Sequence, residues 1–402
     1  MTTLPLLLLL LLLGLSDQAS ARGAAAPAAA VVAGGERYAI SWDDLRVDVP
    51  SRQGLSSGVH GGGVQNGTGT RIIVVDKSSS GDSTTVQGAV DLVPHNNNQR
   101  VKIYIRPGIY REKVYIPITK PYISLIGNRR RMTDTVITSN SKASDKDVSG
   151  LELGTYRTAT VAIDSDYFCA SGITFENTVV SAPGDKGRQA VALRISGEKA
   201  MFYRVKFLGQ QDTLLDDMGT HYFYQCHIQG TIDFIFGTAR SLYEVTVTRS
   251  RQVVDPFRVL NLSSDVCLFF SLENQQCVIT STAETFGAIA AHHRSSPDDD
   301  TGFSFVRCVI NGSGRVLLGR AWGTYSRTIY SYCYIEDMIS PLGWSDWSDP
   351  SRQRTAVFGQ YRCRGSGANT KGWVPWARTF TSEEVRPYVD RNFINGEQWL
   401  NL

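Results

Sequence analysis

The feature that most constrains this chain is a triplet that keeps returning. Six segments read aliphatic or Cys, any residue, then aromatic or Ile: "ITF" at 173–175, "VKF" at 205–207, "CHI" at 226–228, "CVI" at 277–279, "CVI" at 308–310 and "CYI" at 333–335. Their last residues lie 32, 21, 51, 31 and 25 apart. Four of these spacings suit the coils of a parallel β-helix, an all-β fold in which each coil buries its apolar face by stacking on the next. A β-sandwich is the rival, but it predicts shorter, hairpin-like spacing.

The gap of 51 is the exception. It contains a 31-residue segment, 245–275, whose removal shortens the gap to 20. Removal also deletes Cys267 and leaves six of the seven cysteines. We read 245–275 as an atypical insertion and, more specifically, as a retained intron. Its first codon, for Val, begins GT, and its last, for Gln, can end AG. A genuine loop insertion is the alternative.

Around the repeats the chain changes character. Leu6–Leu13 is an unbroken leucine run, followed by Ala19-Ser20-Ala21, a small-residue cleavage site. Residues 1–21 therefore read as a signal peptide, too short in its apolar part to be a stable membrane span, and the protein as secreted. Residues 22–70 are rich in Ala, Gly and Ser and read as a flexible leader. The folded domain runs over 71–402. It opens on a strand at 71–76. A short helix follows at 83–94, with Val86, Ala89, Val90 and Val93 on one face and Ser83 as its cap. A second capped helix is expected at 381–390. The formal charge of +3 is scattered, so there is no nucleic-acid footprint. No CxxC pair suggests zinc.

Several familiar catalytic patterns fail. "GLSSG" (54–58) matches a nucleophile elbow formally but lies in the leader, not between strand and helix. There is no HExxH. His292 and His293 adjoin in a strand-like stretch, so their side chains should diverge. "PDDDTG" (297–302) reads as a solvated turn, with a calcium loop as the alternative.

The carboxylates are more informative. Asp212 in "GQQDTL" and Asp233 in "GTIDFIFG" are 21 residues apart, one local coil. Residues one coil apart stack, so the two should be neighbours, with pKa values pushed apart by repulsion. Alternation should turn Ile232 and Phe234 away from the groove that Asp233 faces. Gln189 in "RQAVAL" precedes Gln211 by 22 residues, so their amides can stack as donors to a developing oxyanion. "LLGRAWG" (317–323) offers Arg320 to pair with an aspartate and Trp322 as a platform for a sugar ring.

With "GIYREKV" (108–114), these motifs in this order resemble the plant pectin methylesterases (pectinesterases, carbohydrate esterase family 8), over about 71–402 apart from 245–275. The resemblance implies a right-handed parallel β-helix with short flanking helices. It implies hydrolysis of galacturonate C6 methyl esters in pectin, with release of methanol. Asp233 matches the nucleophile, Asp212 the proton donor and later base, and Gln211 and Gln189 the stabilisers of the tetrahedral anion. Arg320 matches the arginine that holds the nucleophile. Thr155 and Trp322 match substrate contacts, as do Gln189 and Arg320.

No metal or other cofactor is implied. The partners are pectin (methylated homogalacturonan) and, by the same likeness, a proteinaceous pectinesterase inhibitor. A monomer in the cell wall is expected. Ala321 and Thr238 stand where many members have Pro and Asn, and no N-terminal inhibitor-like domain is expected. The likeness also implies a disulfide between Cys226 and Cys277. Sequons at Asn66, Asn261 and Asn311 suit a secreted glycoprotein. Two other functions compete: a β-helix pectin depolymerase, which would also use paired carboxylates, and a pectin-binding protein inactivated by the insertion.

Overall fold

The computed structural model describes residues 39–47, 64–65, 70–180, 186–245 and 277–402. Its parallel strands stack into a parallel β-helix with three faces. One face is a 12-stranded sheet that starts at Val64–Gln65 and Arg71–Val75 and ends at Val357–Tyr361 and Arg378–Thr379. All its pairs are parallel except the first. The other two faces belong to one 14-stranded sheet, joined because the long strands Val278–His292 and Val309–Ala321 run through both. The first half of Val278–His292 pairs with His227–Gly230 and its second half with Ile232–Gly237.

The recurring triplets form one ladder. Phe175 pairs with Phe207, Phe207 with Ile228, and then Ile279, Ile310 and Ile335 follow in register. All six are fully buried, as are the six residues that open the triplets. With a side-chain period of two, both outer members point inward and fill the same interior line on every coil. Where the residue before a triplet is described, it bends the chain sharply: Gly172, Arg204, Gln225, Arg307 and Tyr332 have φ between 52° and 67°, and Arg362, before Cys363 on the next coil, repeats the bend at 50°. The corner also closes from coil to coil, as where the Gly172 N–H donates to Arg204 O at 3.0 Å.

The predicted insertion at 245–275 lies outside the described residues, apart from Val245. Coil stacking is continuous across it, since His227 pairs directly with Val278. Cys226 and Cys277 remain on adjacent coils, but the expected disulfide is not formed, and all six described cysteines are free thiols. The thiols of Cys226, Cys308, Cys333 and Cys363 instead each meet a carbonyl of a preceding coil. Cys226 Sγ donates to Phe202 O at 3.4 Å and Cys333 Sγ to Phe305 O at 3.3 Å.

Two expectations are corrected. Residues 39–47, assigned to the leader, belong to the body. Ile40–Ser41 pairs in parallel with Leu400–Asn401, and Ile40 and Leu45 are fully buried. In "AISWDDLRV" (39–47) they are two buried apolar side chains in a short polar segment, too few to show a periodicity. The first helix, Val86–Asp91, is capped by Thr85, whose hydroxyl accepts from Gly88 N, and not by Ser83. Ser83 donates to Thr85 O. The carboxylate of Glu112 completes the cap, accepting from Val86 N and Gln87 N at 2.9 Å each. The second helix, Ser382–Val385, has its capping box on Thr381 and Glu384 and tightens into a 3-10 turn over Arg386–Tyr388. Pro387, which cannot donate to an α-helical bond, marks that change.

Candidate active site

The backbone around Asp233 departs from the ladder's regularity. Ile232 pairs with Ala288 but Ile235 with Ala290, so three residues oppose two. This is a β-bulge, and Asp233 sits in it with φ at 48°. Simple alternation therefore fails here. Phe234 and Ile235 both enter the core, whereas Phe236 joins Ala159, Val191, Leu215 and Ala291 on the outer side. Ile232 is only partly buried. Two glycines bracket the bulge. A Cβ on Gly230 would lie 2.2 Å from Phe234 Cβ, and one on Gly237 1.9 Å from Asp216 O.

Asp212 repeats the device one coil earlier, with φ at 64°. Its N–H donates to Ile232 O at 3.1 Å, which ties it to the Asp233 coil. The two carboxylates are 8% and 5% exposed, so both are shielded from bulk water. Arg320 reaches Asp233 from two coils further on. Its Nε donates to Oδ1 at 2.8 Å, and its Nη2 pairs with Oδ2. This two-point fork fits the carboxylate form of Asp233. Burial alone would lower the Arg320 pKa, but the Asp233 carboxylate more than offsets it and raises it. Among the described residues, Asp212 has no such partner. Burial first, and the Asp233 carboxylate second, push its carboxyl well above the usual range, against the pull of Arg320. One aspartate is thus forked to a cation, and its neighbour favours its proton.

The other predicted residues fall on adjoining coils. Gln211 O accepts from Ala190 N at 3.1 Å, so Gln189 and Gln211 stand one coil apart, both partly exposed. Thr155 opens the 3-10 helix Thr155–Thr158, one coil before Gln189. That turn is fastened to the Gln189 coil by Val191 N, which donates to Thr158 Oγ1 at 3.0 Å. Trp322 packs on Phe236, with ring centroids 6.2 Å apart, and edge-on to His293 at 4.8 Å. His292 turns the opposite way into the core, as expected of adjoining strand residues. Arg352 braces this segment, with Nη1 donating to the carbonyls of Ala321 and Trp322.

One residue escaped sequence reasoning. Trp347 lies under the Arg320 guanidinium, 3.9 Å from Cζ to the ring centroid, and shares the outer apolar cluster with Trp322. It stands in a turn, with Trp347 and Ser348 both at φ near 60°. Its only sequence clue is an aromatic residue inside the polar run "SDWSDP" (345–350).

This arrangement sets a buried carboxylate paired with an arginine beside a second buried carboxyl that favours its proton, with two glutamines on the adjoining coils. The chain as a whole is similar to known proteins. The Pectinesterase family model matches residues 72–256 and 272–397. Pectinesterase QRT1 of Arabidopsis thaliana is 55% identical over 373 residues, which cover 90% of this chain and 90% of that protein. Probable pectinesterase 8 of the same plant is 40% identical over 334 residues, covering 83% of this chain and 77% of that protein. Among solved structures, a pectin methylesterase from carrot superposes with a TM-score of 0.68 at 30% identity, covering 82% of this chain and 94% of that one.

Proposed function

The chain belongs to the pectinesterase family and removes methyl esters from pectin, and on that premise we propose that Asp233 and Asp212 perform the chemistry. The observation that carries this assignment is the unequal pair: Asp233 forked to Arg320, and Asp212 beside it with a raised pKa. An Asp233 oxygen attacks the C6 carbonyl carbon of a methylated galacturonate. The side-chain amides of Gln211 and Gln189 donate to the resulting oxyanion. As the tetrahedral centre collapses, the C–O bond to methoxide breaks and Asp212 gives up its proton, so methanol leaves. Asp212, now a carboxylate, takes a proton from water, which attacks the acyl carbon and frees Asp233. Trp322 and Trp347 offer flat faces, and Thr155 a hydroxyl, to sugars on either side.

The experiment is to follow methanol release and chain length together on methyl-esterified pectin. Methanol without shortening supports the esterase. Shortening without methanol sinks it in favour of a depolymerase.

The same reading takes the protein to the cell wall as a secreted monomer, with residues 1–21 as signal peptide and a proteinaceous inhibitor as a further partner. Among the described residues no helix is long and apolar enough to cross a membrane. We also propose that 245–275 is an insertion that follows the strand Arg240–Glu244. Sequencing mature transcripts tests its origin, since a uniform long message excludes a retained intron.

A further inference from the structure

We propose that Cys333 and Cys363 form an oxidisable dithiol, which an external disulfide converts into a bond stapling two C-terminal coils together. The pair belongs to a column. Cys226, Cys277, Cys308, Cys333 and Cys363 stand on successive coils, each just before a residue of one paired row. In that row His227 pairs with Val278, Val278 with Val309, Val309 with Tyr334, and Tyr334 with Arg364. Neighbouring strands lie about 4.8 Å apart, inside the Cα separation of about 4.4–6.8 Å that a disulfide spans. Side-chain hydrogen bonds join Cys277 to Cys308, Cys308 to Cys333, and Cys333 to Cys363.

Access singles out the last pair. Cys226, Cys277, Cys308 and Cys333 are fully buried, whereas Cys363 is only partly buried. An oxidant therefore enters the column at Cys363. The flanking Arg362 and Arg364 in "YRCRG" (361–365) are both exposed. Two cations beside the thiol favour the approach of an anionic disulfide such as oxidised glutathione.

The neighbouring thiol is placed to finish the exchange. Burial works to raise the Cys333 pKa, but hydrogen bonds from Cys308 and Cys363 outweigh it and lower it. Burial and the bond to Cys333 raise that of Cys363, so the entry step quickens as pH rises. The Cys363 thiolate attacks one sulfur of glutathione disulfide, and the first glutathione leaves as its thiolate. The Cys333 thiolate then attacks Cys363 Sγ and displaces the second. Two protein thiols are oxidised, one external disulfide is reduced to two thiols, and the two protein protons pass to the leaving groups.

The new bond closes 333–363 into a loop, and this loop serves the active site. Within it, Trp344–Ser345 pairs with Gly319–Arg320, and Trp347 lies under the Arg320 guanidinium. Arg352 holds the carbonyls of Ala321 and Trp322. Closing the loop removes freedom from the unfolded chain, so the segment that braces Arg320 opens less readily.

Peptide mapping of the full chain tests this. Reduced protein, freed of reductant, is incubated with oxidised glutathione at mildly alkaline pH. Remaining thiols are alkylated in denaturant, and the unreduced digest is read by mass spectrometry. Peptides joined through Cys333 and Cys363 are expected. Oxidation should also raise the thermal midpoint by about 5 °C more in the unmodified chain than in Cys363→Ser. Alkylated Cys333 and Cys363, glutathione retained on Cys363, or a Cys308–Cys333 link overturns the dithiol. The expected link with no difference in midpoint overturns the staple. The map of the unmodified chain decides the pairing by itself, even if Cys363→Ser folds poorly.

Discussion

Two faces of the same coils obey different rules. On the triplet face, six residues from Phe175 to Ile335 keep one register, and the corners before five of the six triplets each turn on a single left-handed residue. On the groove face, Asp212 and Asp233 themselves hold the left-handed conformation, and the register slips between Ile232 and Ile235. The regular face makes the irregular one tolerable. A bulge and two buried carboxylates each cost stability, and the apolar ladder beneath them supplies the cohesion that offsets it. Strain at the groove is local because the next strand over is in step.

The sharpest break in this comparison is Asp233→Asn. Methanol release should fall on the order of 10⁴-fold or more, while thermal melting stays cooperative and close to the parent. A collapse of the fold would show that Asp233 is structural. Phe207→Ala attacks the other face. It removes a ring packed against Phe175, Phe202 and Phe223, and denaturant unfolding should register a loss of about 3–5 kcal/mol. The protein that remains folded should keep its kcat. If kcat falls in proportion to stability, the two faces are not separable.

Arg320→Lys keeps the charge but replaces the fork with a single point of contact. We expect kcat to drop about 10²-fold through misplacement of Asp233, and an unchanged kcat would count against the fork. The smallest effect is on stability. The raised pKa of Asp212 means the folded state holds this proton more tightly than the unfolded chain does. Its contribution is whole below the unfolded carboxyl pKa of about 3.9 and is lost as pH rises from there through the folded value. Asp212→Asn carries no such loss. Its unfolding midpoint relative to the parent should therefore climb from pH 4 upward and then level off, and a gap independent of pH would exclude a buried, proton-holding Asp212.

The triplet face was legible because its period is fixed by covalent geometry: alternate side chains face one side, and each coil must meet the next. The 21-residue interval between Asp212 and Asp233 was legible for the same reason. The bulge was not, since alternation is a rule for unbroken strands. The glycines at 230 and 237 were its visible trace, there because no Cβ fits beside Phe234 or Asp216. Trp347 was hidden by its position. It belongs to a turn rather than to a repeated strand, so no ladder neighbour announces it. Ile40 and Leu45 were hidden by brevity, because two core residues in a short, mostly polar segment carry no periodicity.

That last correction has a consequence for how the chain is made. Ile40 N donates to Trp399 O at 2.7 Å, and Ile40 pairs with Leu400, about 360 residues further along. Repeat proteins in which each unit touches only its neighbours can begin folding from whichever end is synthesised first. Here Ile40–Ser41 has to wait for its partner until Leu400–Asn401 has been synthesised. Ile40 and Leu45 are therefore uncovered on that side until then, and a chain truncated before Leu400 would lack the strand that receives them.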